Sequence, residues 1–262
     1  MNRASAMLTV LIVLTLVGMG TIHVQNMRAV ANQTVCINNL KNIGLSCHDY
    51  HGQHGHLPRA ILAHPTENDS PSRQTSWIFG ISHTLVGHMD PKWFIKDPKK
   101  PWDHANNAYV IQHHHLRHVI SCPANEQADE NRSTHYIAIT GVGKDAACLP
   151  AGHRDSGLFG YDRVTKLGDI TRGAENVIML AETANLHGHW LQGGFSTSRG
   201  LDQNGAAYLG MDGQFNGMHG RRLLIPAAFT TNVLMADASV RSFTDSTSDA
   251  VLESLVRVAN NP

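Results

Sequence analysis

The longest uninterrupted apolar pattern lies at the start of the chain. From Ala4 to Ile22 the sequence reads ASAMLTVLIVLTLVGMGTI with no ionisable side chain, bounded by Arg3 on one side and by His23 and Arg28 on the other. At the helical rise this run is about 28 Å long, close to the thickness of a bilayer's hydrocarbon core. It predicts a membrane-spanning helix in contact with the lipid bilayer through residues 4–22. The rival readings are a buried globular helix and a cleaved signal peptide, with Ala29-Val30-Ala31 as a small-residue site well past the apolar run. Beyond the span, apolar residues recur at steps of mostly three and four: Val24, Met27, Ala31, Cys36, Leu40, Ile43, Cys47 and Tyr50, with Asn38, Asn39, Lys41 and Asn42 mostly off that face. No strong breaker separates Ile22 from Tyr50, and Gly52, Gly55 and Pro58 end the pattern. One helix of about 70 Å, running from the membrane into a domain, is the simplest reading. It divides the chain into an anchor, 1–30, and a domain, 31–262.

The pattern changes period further on. Three segments read as strands: His135 to Val142, Asn176 to Glu182, and Asn232 to Phe243. The last alternates on both sides of Asp237-Ala238, which predicts a two-residue hairpin turn with positive φ at both central residues. Residues 64–107 are rich in Pro, Asp, Asn and Ser and carry Trp77, Trp93 and Trp102. They read as irregular connection over buried aromatic anchors, an exposed glycan platform being the alternative. Ser246 with Asp249 resembles a capping box, and Val251, Leu252, Leu255, Val256 and Ala259 mark a short final helix. The expected fold class is α+β: a long N-terminal helix packed on an antiparallel sheet, with long loops and a short C-terminal helix.

Charge removes one class of partner. Lys plus Arg equals Asp plus Glu at 21 each, so no basic surface points to nucleic acid. The N-terminal amine and Arg3 favour a cytoplasmic N-terminus, which places the domain outside the cytoplasmic membrane, in the periplasm or beyond. Cys36, Cys47, Cys122 and Cys148 suit a compartment where disulfides persist. On a helix, Cys36 and Cys47 would share a face but stand about 16 Å apart, so pairing would have to cross to Cys122 and Cys148. Four reduced thiols are the alternative. The 18 histidines concentrate at His48, His51, His54, His56 and His64 and at His113, His114, His115 and His118. His114 and His118 would share a helix face suited to zinc, copper or nickel, but surface or structural histidine is the expectation.

Catalytic templates fail. Gly141-Val142-Gly143-Lys144-Asp145 lacks the first glycine and the Ser/Thr of a phosphate-binding loop, and neither G-x-S-x-G nor HExxH occurs. Asp202, Asn204, Asp212 and Asn216 offer oxygen ligands for calcium, but the twelfth position from Asp202 is Gly213, where an EF-hand needs a carboxylate. Glu182 with His187 and His189 is the most catalytic-looking group, and it lacks a nucleophile. No catalytic, metal-binding or cofactor-binding residue is assigned, and the chain is expected not to be an enzyme.

Thr34 to Pro58, TVCINNLKNIGLSCHDYHGQHGHLP, closely resembles the signature of the planctomycete-type DUF1559 family, also catalogued under a bacterial solute-binding label. The resemblance recurs in order: Ser76-Trp77; Pro101-Trp102-Asp103 with Asn106 or Asn107; Ser121-Cys122-Pro123; Tyr136 to Gly141; Glu175 to Glu182; and Asn232 to Arg241. It implies a pilin- or pseudopilin-like helix and sheet, with pilin-like or secretion-system partners and a structural or secretion-related role. A tethered module binding a solute or glycan is the second function it suggests. The chain departs from the family at three places. Ser5 stands where the pilin-type leader segment has glutamate, with no leader before it, so anchoring is expected rather than filament assembly. Ala238 replaces a turn glycine. His219 lies eighteen residues before Asp237, where the family's histidine is about ten before.

Overall fold

The computed structural model describes residues 3–62, 70–87, 100–112, 116–125, 132–204, 207–217, 219–220 and 228–259. Helix α1, Arg3–His54, is 52 residues long and unbroken, about 78 Å from end to end. It contains an 18-residue window of mean hydropathy 2.2 with nothing packed against it, long and apolar enough to cross a membrane. Met7, Leu8, Leu11, Leu14, Leu16 and Met19 all stand exposed there. The hydroxyls of Thr9, Thr15 and Thr21 donate to the carbonyls of Ser5, Ile12 and Gly18, so these polar atoms are satisfied within the helix itself.

The buried stripe is shorter than its periodicity implies. Cys36, Leu40, Ile43 and Cys47 are at most 1% exposed, whereas Val24 and Met27 are exposed at 49% and 61%. Among the described residues, Asn32, whose amide donates to the Pro123 carbonyl, marks how far the domain reaches along the helix. Gly52 is helical, and Gly55 ends α1 with φ +75°, its N–H bonding back to His51.

The main sheet has the order β5-β3-β4-β6-β7, built from β3 (Tyr136–Val142), β4 (Ile178–Glu182), β5 (Ser198–Leu201), β6 (Thr230–Met235) and β7 (Val240–Thr244). The three segments expected to be strands are strands, within two residues at their starts. The sheet is not wholly antiparallel, because β5 runs parallel to β3. The connection from Thr183 to Thr197 carries the chain across β3 to its outer edge, and β5, running opposite to β4 like β3 itself, therefore lies parallel to β3. A second pair, β1 (Ile61–Leu62) with β2 (Thr75–Ser76), leads into α2 (Trp77–Val86). Helices α3 (Ala108–Gln112) and α4 (Arg117–Ile120) are single turns.

Both faces of the sheet are covered, and strand alternation sorts the core in two. Tyr136, Ala138, Leu180 and Leu234 pack with Leu40, Ile43, Trp77 and Ile81 beneath α1 and α2. Ile137, Ile139, Ile178, Val233 and Met235 pack with Leu252 and Val256 of α5 (Asp249–Val256). Trp77 and Trp190 are core residues, and Trp102 stacks on His189 and donates to the Ser72 carbonyl. Trp93 lies outside the described residues, as do His64, His113, His114 and His115. α1 approaches the sheet closely at Gly44, where a Cβ would stand 3.0 Å from Ala238 Cβ and from Leu234 Cδ1.

Two local expectations are corrected. The hairpin between β6 and β7 is a three-residue loop: Met235 N–H donates to Ser239, Ala238 N–H donates to Met235, and Ala238 alone is left-handed at φ +65°. A turn followed by one left-handed residue matches strand twist as well as a two-residue turn does, and needs positive φ once only. Ser246 does not cap α5. Ser248 precedes it, and the Ser246 hydroxyl bonds Thr244 instead, because the chain turns after β7 through Thr247 N–H to the Thr244 carbonyl. The left-handed alanine leaves room for improvement. Ala238→Gly is expected to stabilise the domain by about 1 kcal/mol, measured as a raised denaturant midpoint with unchanged slope; a lowered midpoint would show that the methyl's contact beside Gly44 outweighs the strain.

Candidate functional site

The one cluster of three or more His, Cys, Asp and Glu side chains poised to share a ligand, among the described residues, is Cys36, Cys122, Glu182 and His219. Their sulfur, oxygen and nitrogen atoms all lie within 4.8 Å of one another, and all four residues are buried. Four separate segments supply them. Cys36 sits where α1 first enters the core. Cys122 follows α4, its N–H donating to His135 Nδ1 at 2.8 Å. Glu182 ends β4. His219 is fixed by a bridge to Thr230, whose N–H donates to its carbonyl at 2.9 Å.

The geometry is dense. Cys36 Sγ lies 2.8 Å from Cys122 Sγ, His219 Nε2 lies 3.5 Å from Cys122 Sγ, and the same Nε2 is 3.1 Å from Glu182 Oε1. The other carboxylate oxygen, Oε2, accepts from the Asn232 backbone N–H at 3.1 Å. The Tyr136 hydroxyl, buried in the same part of the core, accepts from the Asn39 amide at 3.4 Å. Hydrogen bonding within the thiol pair, Cys36 as donor, makes Cys122 the more acidic sulfur, lowered to about 7, and raises Cys36. Burial alone would lower His219, but hydrogen bonds to Cys122 and Glu182 and the carboxylate's field outweigh it and hold the imidazole up to about 10. Without a metal the site is a buried His219–Glu182 hydrogen-bonded pair beside two sulfurs. The same four atoms are also a soft-to-borderline metal ligand set.

The structure redistributes the residues singled out in the sequence. Glu182 meets His219; His187 instead stands edge-on to His135 at 4.8 Å, and His189 stacks on Trp102 at 4.7 Å. Cys36 and Cys47 do not pair, as their spacing required. Cys36 meets Cys122, Cys47 is buried, and Cys148 is exposed, all four being free thiols. Asp202, Asn204 and Asp212 line an open cavity of about 550 Å³ with Leu186, Phe195 and Met211, while the Asn216 amide bonds the Met211 carbonyl. His219 is no partner of Asp237, whose carboxylate accepts from Ser239. The four-residue site is not visible in any one motif. Its only sequence signal is that three of the family-like segments, around Cys36, Cys122 and Glu182, each carry a ligand-type residue on or next to an apolar run.

A second buried group is expected to make the fold acid-sensitive. His135 is 1% exposed, and its Nδ1 accepts from Cys122 N–H, which a proton on that nitrogen would disrupt. Burial, then the neighbouring His187, lower it to about 3. Below an unfolded value near 6.5 the unfolded chain takes up a proton that the folded chain refuses, so stability is complete above that pH and falls as pH drops. As pH falls from about 6.5 to 4.5, above the range of the carboxylates, the expected loss steepens from about 0.7 to about 1.4 kcal/mol per pH unit. Urea midpoints across that window for the native chain and His135→Gln check it; equal slopes would refute a neutral, buried His135.

A family model described as "Protein of unknown function (DUF1559)", under a bacterial solute-binding label, matches residues 25–223. The match begins in α1 past the apolar window and takes in all four residues of the cluster. No curated protein and no solved structure matches the chain. Spanning well over half its length, the match establishes that the chain belongs to the DUF1559 family.

Proposed function

We propose that this is a single-pass, membrane-anchored, non-enzymatic structural protein of pseudopilin type, with residues 1–30 as its anchor and residues 31–262 as a domain held outside the cytoplasmic membrane. One observation carries this reading. A single helix has an apolar, wholly unpacked segment at one end and a fully buried stripe, Cys36, Leu40, Ile43 and Cys47, at the other. A soluble core helix would bury its apolar residues; this one buries only its second half. Nothing interrupts the helix between the two halves, so the domain is held at the membrane by its own spine rather than by a linker. Pilin-like or secretion-system components are the corresponding partners.

The test is fractionation of the tagged full-length chain, with alkaline carbonate extraction, protease accessibility and N-terminal sequencing of the product. The expected product stays in the membrane pellet with its apolar segment intact and its domain open to protease from the outer side. Soluble recovery with a new N-terminus near Val30 would replace the anchor with a signal peptide. A tethered binding module is the second reading, favoured by the cavity beside Phe195, whose volume lies within the small-ligand range. A solute that raises the melting temperature of the native chain but not of Phe195→Ala would move the balance to it.

A further inference from the structure

We propose that Cys36, Cys122, Glu182 and His219 form a closed structural site for one zinc-type divalent cation, which staples α1 to the sheet. The ligands would be the two sulfurs, Nε2 of His219 and Oε1 of Glu182. Structural zinc is four-coordinate with nitrogen and sulfur donors, and carboxylate oxygen is also an accepted ligand. The separations suit it: around one tetrahedral ion, oxygen and nitrogen ligands stand about 3.3 Å apart and nitrogen and sulfur about 3.6 Å. The chain has 3.1 Å and 3.5 Å. Two thiolates on one zinc stand about 3.8 Å apart, so the sulfurs, now 2.8 Å apart, separate by about 1 Å through small torsional changes.

The surroundings are those of a metal site's outer shell. Oε2 of Glu182 is held by Asn232 N–H, which leaves Oε1 facing the cluster. Asn39, one turn along α1 from Cys36, donates to the buried Tyr136 hydroxyl and to the His118 carbonyl, which ties α1 to the segment that carries Cys122. A disulfide between Cys36 and Cys122 would account for two of the four residues only. It gives no reason for a carboxylate and an imidazole, both buried to within 2% of full burial, to face the same sulfurs. With four protein ligands no position remains for substrate, so the ion's role is mechanical. It joins α1, the Cys122 loop, the end of β4 and the segment before β6, and thereby fixes the anchor helix to the domain it carries.

The experiment uses the full-length chain in detergent micelles. Metal content is measured on the protein as isolated; the protein is then reduced, stripped with a chelator and titrated with cobalt(II), followed by zinc. The expected result is one tightly held cobalt with tetrahedral, thiolate-type absorption, displaced by zinc, and equally present in Cys47→Ser. Cys122→Ser and Glu182→Gln are expected to bind more than about tenfold more weakly. If stripping unfolds the chain, one zinc per chain as isolated, absent from Cys122→Ser, supports the site independently. Absence of metal as isolated together with no thiolate-type cobalt spectrum overturns the proposal, as does cobalt bound only in octahedral form at surface histidines. A Cys36–Cys122 disulfide in metal-free protein as isolated overturns it too.

Discussion

Trp77→Ala is expected to lower the stability of the domain by about 3–5 kcal/mol, the largest loss from any single truncation of the core. The indole is fully buried, packs on Phe159 with ring centroids 5.6 Å apart, and donates from Nε1 to the Thr197 carbonyl at 2.9 Å. Truncation removes its apolar contacts, leaves a cavity between α2 and the sheet, and takes one of two donors from the Thr197 carbonyl, which keeps the Ala138 N–H. Equilibrium urea unfolding gives the value directly. Trp77→Phe, which keeps most of the volume and loses the N–H, is expected to recover more than half of the loss. A loss below about 1 kcal/mol for the alanine variant would place Trp77 at the surface, as a glycan platform requires.

Gly141→Ala is expected to cost about 3 kcal/mol or more and to reduce folded yield. Gly141 lies in β3 with φ +130°, a region that side chains other than glycine's rarely enter. Its added Cβ would stand 2.1 Å from the Asp155 carbonyl oxygen and 2.7 Å from Gly157 N, both rigid backbone. Two chain segments therefore touch backbone to backbone, with Gly157 N–H donating to Thr140 and Val142 N–H donating to Asp155. Arg163 secures the same loop by donating to the carbonyls of Gly157, Ala146, Leu149, Thr140 and Phe159. Circular dichroism and the denaturant midpoint report the effect. A near-native midpoint would mean that the loop of residues 153–157 is free to move away from β3.

Elements with a clean period are legible in the sequence. The steps from Cys36 to Cys47 locate the buried helix face, and the apolar runs ending at Val142 and Glu182 locate two central strands. β5 is not legible, because Ser198-Arg199-Gly200-Leu201 has neither alternation nor β-branched residues. It is a strand because β3 offers it an open edge and Arg199 is anchored between the rings of Phe195 and Phe215. The stripe at Val24 and Met27 misleads for a related reason: periodicity reports which face could be buried, not how far the rest of the domain extends along it. The four-residue site is hidden altogether. Its successive members lie 37 to 86 positions apart along the chain, each embedded in a segment whose pattern is explained by packing. Only tertiary structure brings Cys36, Cys122, Glu182 and His219 together. The hairpin loop is half legible, since Asp237-Ala238 marks the turn and the hydrogen bonds decide its length.

The proposed function makes one continuous helix both membrane anchor and domain spine. Hydrogen exchange of the full-length chain in lipid nanodiscs, resolved by peptide, tests this most directly. The expected result is that residues 36–50 exchange as slowly as β3, that residues 5–22 are protected within the bilayer, and that residues 23–35 between them stay helical without a rapidly exchanging break. Rapid exchange across residues 23–35, with the two flanking segments protected independently, would mean an anchor joined to the domain by a flexible tether, and would contradict a single shared spine.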